Sequence, residues 1–254
     1  MIILLSPAKT LDTDAGKEIT ETTKPVFHKE AKYLNNLLKK KKHDEIKSLM
    51  HISDNLVTLN RSRFKSFDSE YTSENSNPAI HAFKGDVYLG LDIDSMNKND
   101  VKFLNKHVRI LSGLYGFLKP LDRMQPYRLE MGTRLENRRG PNLYKYWDGK
   151  LTSAIKTEAE SLKSSFIVNL ASDEYYKSLN PKKLDLPVIK INFKEDRNGV
   201  YKFISYNAKK ARGMMVNYMV KNRVKTIEEM KGFNYEEYSF NEELSTNDLL
   251  IFTR

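Results

Sequence analysis

The sequence predicts an α/β protein of mixed α+β character, a single domain over residues 1–254 with a mixed sheet flanked by helices. Three observations predict it. The chain opens on a strand-like apolar run, Ile2-Ile3-Leu4-Leu5. Short apolar runs then alternate with segments of helical periodicity. No linker, repeat or low-complexity tract interrupts the 254 residues, and a chain of that length buries roughly three quarters of its unfolded surface, enough for a substantial core.

The elements follow in order. The first strand stops at Ser6-Pro7. Residues 27–40 set Ala31, Leu34, Leu37 and Leu38 at helical spacing, before the run Lys39-Lys40-Lys41-Lys42. Residues 43–65 read as two short helices around a tight turn. Ile46, Leu49 and Met50 share one face, Ile52-Ser53-Asp54 breaks the pattern, and Ser53 can cap a second helix carrying Leu56, Leu59 and Phe64. Asn77-Pro78 opens another short helix, with proline in a favourable first position. Val87-Tyr88-Leu89, between Gly85 and Gly90, reads as a strand or hairpin edge.

A helix is predicted over 97–106 and a strand over Val108–Leu111, running into the glycine-punctuated turn Ser112-Gly113-Leu114-Tyr115-Gly116. Residues 117–142 are irregular, with Pro120, Pro126, Gly132, Gly140 and Pro141; an ordered stretch of this length inside a domain is usually functional. Helix 143–163, strand 166–170, helix 172–179, strands 187–193 and 200–206, helix 207–221 and two short C-terminal strands complete the chain.

Composition narrows the function classes. There is no cysteine, which excludes a disulfide scaffold, a thiolate metal site and thiol redox chemistry. The apolar start is too short for a secretory leader or a membrane span, so a cytoplasmic protein without membrane association is expected. The formal net charge is +10, and a basic protein attracts polyanions. The charge is clustered. Lys24–Lys65 holds eleven Lys/Arg against four Asp/Glu, Lys194–Lys225 nine against two, and 226–254 reverses the balance.

Several constellations carry potential chemistry. Ser6, Lys9 and Thr10 follow a strand, where α/β sheets meet their ligands; the competing reading is a plain turn with an exposed lysine. The glycines around Gly113 and Tyr115 permit a backbone nest for phosphate, or simply a tight turn. Arg123, Arg128 and Arg134 offer planar forks for phosphate, although Glu130 can hold Arg128 in an internal ion pair. Lys209, Lys210 and Arg212 open a helix, and Lys209 and Arg212 share a face at a spacing of three. Lys47, Arg61 and Arg63 lie on the two-helix element. The histidines have no metal-ligand spacing, so neither a metal nor a cofactor is predicted.

Six segments in order resemble the YaaA family of bacterial proteins, also known as DUF328. They are Ser6-Pro7-Ala8-Lys9-Thr10-Leu11-Asp12; Ala82-Phe83-Lys84-Gly85-Asp86-Val87-Tyr88; Leu111–Gly116 through Lys119-Pro120-Leu121-Asp122; Pro126-Tyr127-Arg128-Leu129-Glu130-Met131-Gly132; Asn169–Tyr175; and Ala208-Lys209-Lys210-Ala211-Arg212-Gly213. The resemblance implies a cytosolic protein of the hydrogen-peroxide response, tied to limiting free iron and oxidative DNA damage. It further implies an unusual α/β topology, a basic cleft, a helix-hairpin-helix-like element matching 43–65 in position, and DNA as partner. The turn Ile52-Ser53-Asp54 lacks the central glycine usual in such an element.

The leading expectation is therefore a DNA-binding protein that recognises structure rather than sequence, with no obligate protein partner. Phosphate would be held by Ser6, Lys9, Thr10, Lys47, Arg61, Arg63, Gly113, Tyr115, Arg128, Lys209, Lys210 and Arg212. A second possibility is an enzyme acting on a nucleotide or nucleic-acid phosphate, with Lys9, Arg128 and Lys209 stabilising charge and Glu130 or Asp122 as base or metal ligand. A third is an iron-sequestering protein.

Overall fold

A computed structural model describes residues 1–254. The main strands are β1 (Ile2–Leu5), β5 (Val108–Ser112), β6 (Gly116–Leu118), β8 (Ile167–Leu170), β9 (Val188–Asp196), β10 (Tyr201–Lys202), β11 (Ser239–Phe240) and β12 (Leu249–Thr253). Two-residue strands β2 (Thr10–Leu11), β3 (Asn77–Pro78), β4 (Phe83–Lys84) and β7 (Arg123–Met124) form two separate ladders. The helices are α1 (His28–Lys39), α2 (His43–Met50), α3 (Asp54–Ser66), α4 (Ala79–Ala82), α5 (Asp86–Leu91), α6 (Lys98–His107), α7 (Leu143–Trp147), α8 (Lys150–Ser161), α9 (Asp173–Tyr176), α10 (Ser205–Lys221) and α11 (Ile227–Lys231).

The sheet runs β11-β12-β9-β8-β1-β5-β6, with β10 paired to β9. Its five central strands are parallel, and β6, β10 and β11 join antiparallel. All four residues of β1 and all five of β5 are buried, as expected of parallel strands covered on both faces. One contiguous core links β1 to Ala31, Leu34, Ile46, Val57 and Phe64 of the N-terminal helices.

Local chemistry sets the helix starts. Asn97 caps α6 by accepting from the Asn99 and Asp100 amides, while the Asp100 carboxylate accepts from the Asn97 amide. Thr226 and Glu229 cap α11 in the same reciprocal way, a signal that the periodicity reading passed over.

Four predicted elements differ. Residues 87–89 are helical, inside α5. A Cβ on Gly90 would lie 2.0 Å from the Lys210 carbonyl oxygen, and one on Gly213 would lie 1.8 Å from that of Val87. This backbone-to-backbone crossing of α5 and α10 overrides the strand preference of Val-Tyr-Leu. Asn77-Pro78 pairs with Arg123-Met124 instead of starting a helix, which begins at Ala79. The predicted strand 200–206 is cut to Tyr201–Lys202, because α10 already starts at Ser205. The predicted helix 143–163 is divided into α7 and α8 at Asp148-Gly149.

The sheet ends unevenly. Leu5 of β1 is level with Leu170 of β8, and Asn169 is level with Lys190 of β9. Strand β9 therefore continues from Asn192 to Asp196 beyond β8 and β1, about 16 Å of strand, with β12 beside it as far as Lys194.

Candidate functional site

Chain segments converge at the carboxyl edge of the sheet, the usual ligand-binding edge of an α/β fold. The loop after β1 brings Ser6, Lys9 and Thr10. It is pinned by the β2–β4 ladder, in which Thr10 is level with Lys84. The turn after β8 brings Ser172, whose amide donates to the Ser6 hydroxyl at 2.9 Å. The Tyr88 hydroxyl of α5 donates to the Ser6 carbonyl at 3.0 Å. Together with Glu130, Glu174 and Tyr175, and with Lys209 and Arg212 from the first turns of α10, these residues line a cleft of about 480 Å³.

A second cleft of about 570 Å³ adjoins it. Ser48 to His51, at the corner between α2 and α3, line it with Arg128, Gly132, Thr133 and Arg134. Glu130 and Glu174 line both clefts, so the two border each other at these carboxylates and together make a polar depression.

The electrostatics within it are uneven. Glu130 lies 3.3 Å from Lys9 and 3.0 Å from Arg128. Glu174 accepts from the Gly132 amide at 2.9 Å, and the Tyr144 hydroxyl donates to the Glu174 carbonyl at 3.0 Å. The Nε atoms of Arg128 and Arg212 are buried without a hydrogen-bond partner. Burial lowers the Arg212 guanidinium from its usual value, with Asp173 acting in the opposite sense; an arginine nonetheless keeps its charge in a protein. Burial also holds the Tyr88 and Tyr175 phenols well above their ordinary range, so both remain neutral hydrogen-bonding groups. No group of three or more His, Cys, Asp or Glu side chains is arranged to hold a metal.

The structure brings together Ser6, Lys9, Thr10, Lys209 and Arg212 in the first cleft and places Arg128 in the second. Lys210 turns aside and pairs with Glu236. Lys47 is held 2.7 Å from Asp54, which raises its pKa, and lies in neither cleft. Arg61 and Arg63 are partly buried on α3, also outside both clefts.

Two expected phosphate ligands require correction. Gly113 and Tyr115 lie in the core. A Cβ on Gly113 would sit 2.3 Å from the Leu129 carbonyl oxygen, and its own carbonyl accepts from Trp147 Nε1 at 2.9 Å. Tyr115 is fully buried, with its hydroxyl accepting from the Gln125 amide at 2.9 Å. The glycine there serves close packing, not a phosphate nest.

Arg123 is likewise structural. Its guanidinium donates to Thr22 Oγ1, the Ser76 carbonyl and the Ile19 carbonyl. Asp122, a base in the enzyme alternative, is buried and accepts from the Thr23 hydroxyl at 2.5 Å and the Lys119 amide at 2.8 Å, away from both clefts. Sequence reasoning missed Lys84, Asp86, Ser172 and Glu174 as cleft residues. The register of β2 on β4 and the alignment of β1 with β8 bring them in.

Fold and site define a mostly parallel α/β protein with a polar depression at the carboxyl edge of its sheet, lined by both cations and carboxylates. Residues 1–244 match the family model described as peroxide stress protein YaaA, and the chain belongs to that family. It is similar to a UPF0246 protein of Saccharophagus degradans, 47% identical over 254 residues, which cover 100% of this chain and 99% of the relative. It is also similar to a UPF0246 protein of Marinomonas sp., 48% identical over 255 residues covering 100% and 97%. A third, from Hahella chejuensis, is 46% identical over 254 residues covering 100% and 99%. No helix is long and apolar enough to cross a membrane.

Proposed function

We propose that this protein binds DNA along the double cleft, contacting phosphates rather than base edges, and so helps limit oxidative damage and free iron in the cytoplasm during peroxide stress. The observation that carries the reading is Arg212. It is partly buried on the first turns of α10, its Nε has no partner, and it lines the same cleft as Lys209, Lys84 and Lys9. Cations gathered around an unpaired guanidinium are an arrangement that an anion stabilises. Cations in both clefts, Lys84, Lys209 and Arg212 in one and Arg128 and Arg134 in the other, suit an extended polyanion better than a single small phosphate. Contacts of this kind fix position without reading sequence.

The test is fluorescence-anisotropy binding to duplex, bubble and junction DNA across a salt series. A Lys209→Ala/Arg212→Ala variant is compared with a Lys47→Ala/Arg61→Ala/Arg63→Ala variant. The reading expects a steep salt dependence that shrinks in the first variant. Absence of binding near physiological salt would sink it.

A second reading is favoured by one feature: Glu130 stands between Lys9 and Arg128 inside the depression, with Glu174 beside it. Carboxylates and cations converging in a cleft suit an enzyme acting on a nucleotide or nucleic-acid phosphate. A nucleotide-hydrolysis screen with Glu130→Gln and Glu174→Gln controls decides between the two.

A further inference from the structure

Phosphate-binding cations do not account for the surface beside the cleft. Val200, Tyr201, Phe203 and Tyr206 are 56, 42, 53 and 55% exposed. Single exposed hydrophobic side chains are ordinary, but four large ones within seven residues are a concentration that calls for an interaction partner. Three of the four are aromatic, and Lys202 is interleaved among them.

The group occupies a definite place. It spans the tip of the β9–β10 hairpin and the first turn of α10, at the carboxyl edge of the sheet where β9 outruns β1 and β8. Tyr206 stands three residues before Lys209, so the exposed ring is a helix-surface neighbour of the first cleft cation. The hairpin is an ordered support. Its turn is closed by the Arg197 amide donating to the Val200 carbonyl at 3.0 Å and by the Gly199 amide donating to Asp196 Oδ1 at 2.7 Å. Its base is tied to α10 by Asn207 Nδ2 donating to Glu195 at 2.6 Å.

We propose that Tyr201, Phe203 and Tyr206 are a stacking platform for unpaired bases of a DNA strand whose phosphates pass Lys209 and Arg212 into the cleft. The inference rests on the DNA-binding reading and adds the chemical class of the preferred ligand. Aromatic rings beside a cationic track are how proteins hold single strands without regard to sequence, because every base has a π-face to stack. In an intact duplex those faces are occupied by neighbouring bases. The platform therefore selects strands that are melted, mismatched or damaged, where extrusion of a base costs least.

The experiment uses the full chain and an oligonucleotide carrying 2-aminopurine, presented as a single strand, within a bubble and fully paired. Tyr201→Ala/Phe203→Ala/Tyr206→Ala is compared with the unaltered protein and with Lys209→Ala/Arg212→Ala, with thermal melting as a check on folding. The unaltered protein should quench the probe in the single strand and the bubble. The aromatic variant should lose that quench and bind unpaired DNA roughly tenfold or more weakly, the scale of one lost stacked base. Its duplex affinity and salt dependence should hold, whereas the cation variant should weaken on every form. Unchanged quenching and unchanged affinity for unpaired DNA in the aromatic variant would overturn the platform and leave the DNA-binding reading intact. Failure of the unaltered protein to bind any of the three forms would overturn both.

Discussion

The Lys9 ammonium lies 3.3 Å from the Glu130 carboxylate, and that carboxylate also holds Arg128 at 3.0 Å. Two cations from distant parts of the sequence are thus partly neutralised by one acid at the junction of the two clefts. Replacing Glu130 by Gln releases both. Affinity for polyanionic DNA at low salt should rise, on the order of three- to tenfold, and the logarithmic salt slope should steepen by about one. A fall in affinity would mean that Glu130 orients Lys9 and Arg128 more than it screens them.

Arg212 and Lys47 should behave differently although both are basic. Lys47 is already engaged by Asp54 at 2.7 Å, while the Arg212 Nε has no partner. Arg212→Ala should weaken DNA binding by roughly five- to tenfold, on the scale of one lost charge-assisted contact. Lys47→Ala should stay within about twofold. Equal losses in the two variants would place the binding surface on α2 and α3 as much as in the cleft.

The crossing of α5 and α10 leaves no room for a side chain. A methyl group on Gly213 meets the Val87 carbonyl oxygen at 1.8 Å and the Leu91 amide at 2.6 Å, and backbone cannot rotate aside as a side chain can. Gly213→Ala should cost about 3 kcal/mol or more by overpacking, lowering Tm by roughly 6–12 °C in a chain of this length. Because α10 carries Lys209 and Arg212, DNA binding should weaken in the folded fraction as well. An unchanged melting curve would refute this account of the crossing.

Asp122 supplies a pH dependence with a definite sign. Burial pushes its carboxyl up to about 6 from 3.8, against the hydrogen bond from Thr23 and that from the Lys119 amide. The folded state therefore keeps a proton that the unfolded chain releases. Below about pH 4 both states are protonated and the group is neutral toward stability. Between about pH 4 and pH 6 its contribution to stability falls as pH rises, by on the order of 3 kcal/mol in total, and above that it is constant. Denaturation at a series of pH values should reveal this loss, and Asp122→Asn should remove it. An Asp122→Asn variant with the same pH profile as the parent would show that the carboxyl ionises freely where it stands.

The parts of the site that were legible were those set by local pattern. The spacing of Lys209 and Arg212 placed both on one helix face, and Ser6–Thr10 was recognisable because it follows an apolar strand. What was not legible depends on tertiary register. Lys84 reaches the cleft because β4 pairs with β2, and Ser172 because β8 ends level with β1; neither pairing has a local signature. Gly113 was misread for a different reason. A glycine that admits a phosphate and a glycine that admits the Leu129 carbonyl have the same requirement, a close backbone approach, and only the neighbour distinguishes them. The strand reading of Val87–Leu89 failed because Gly90 and Gly213 impose helix packing that β-propensity does not encode.

The central position of β1 has a consequence for biosynthesis. Strand β1 is flanked by β5 and β8, both made after it, and the partner of β9, strand β12, lies at 249–253. At roughly 5–20 residues per second, Ile2–Leu5 waits on the order of ten to thirty seconds for Ile167–Leu170. During that interval a fully apolar segment has no completed sheet to enter. Translation that slows under stress would lengthen the exposure, making the nascent chain most dependent on chaperones under the conditions in which its family is named to act.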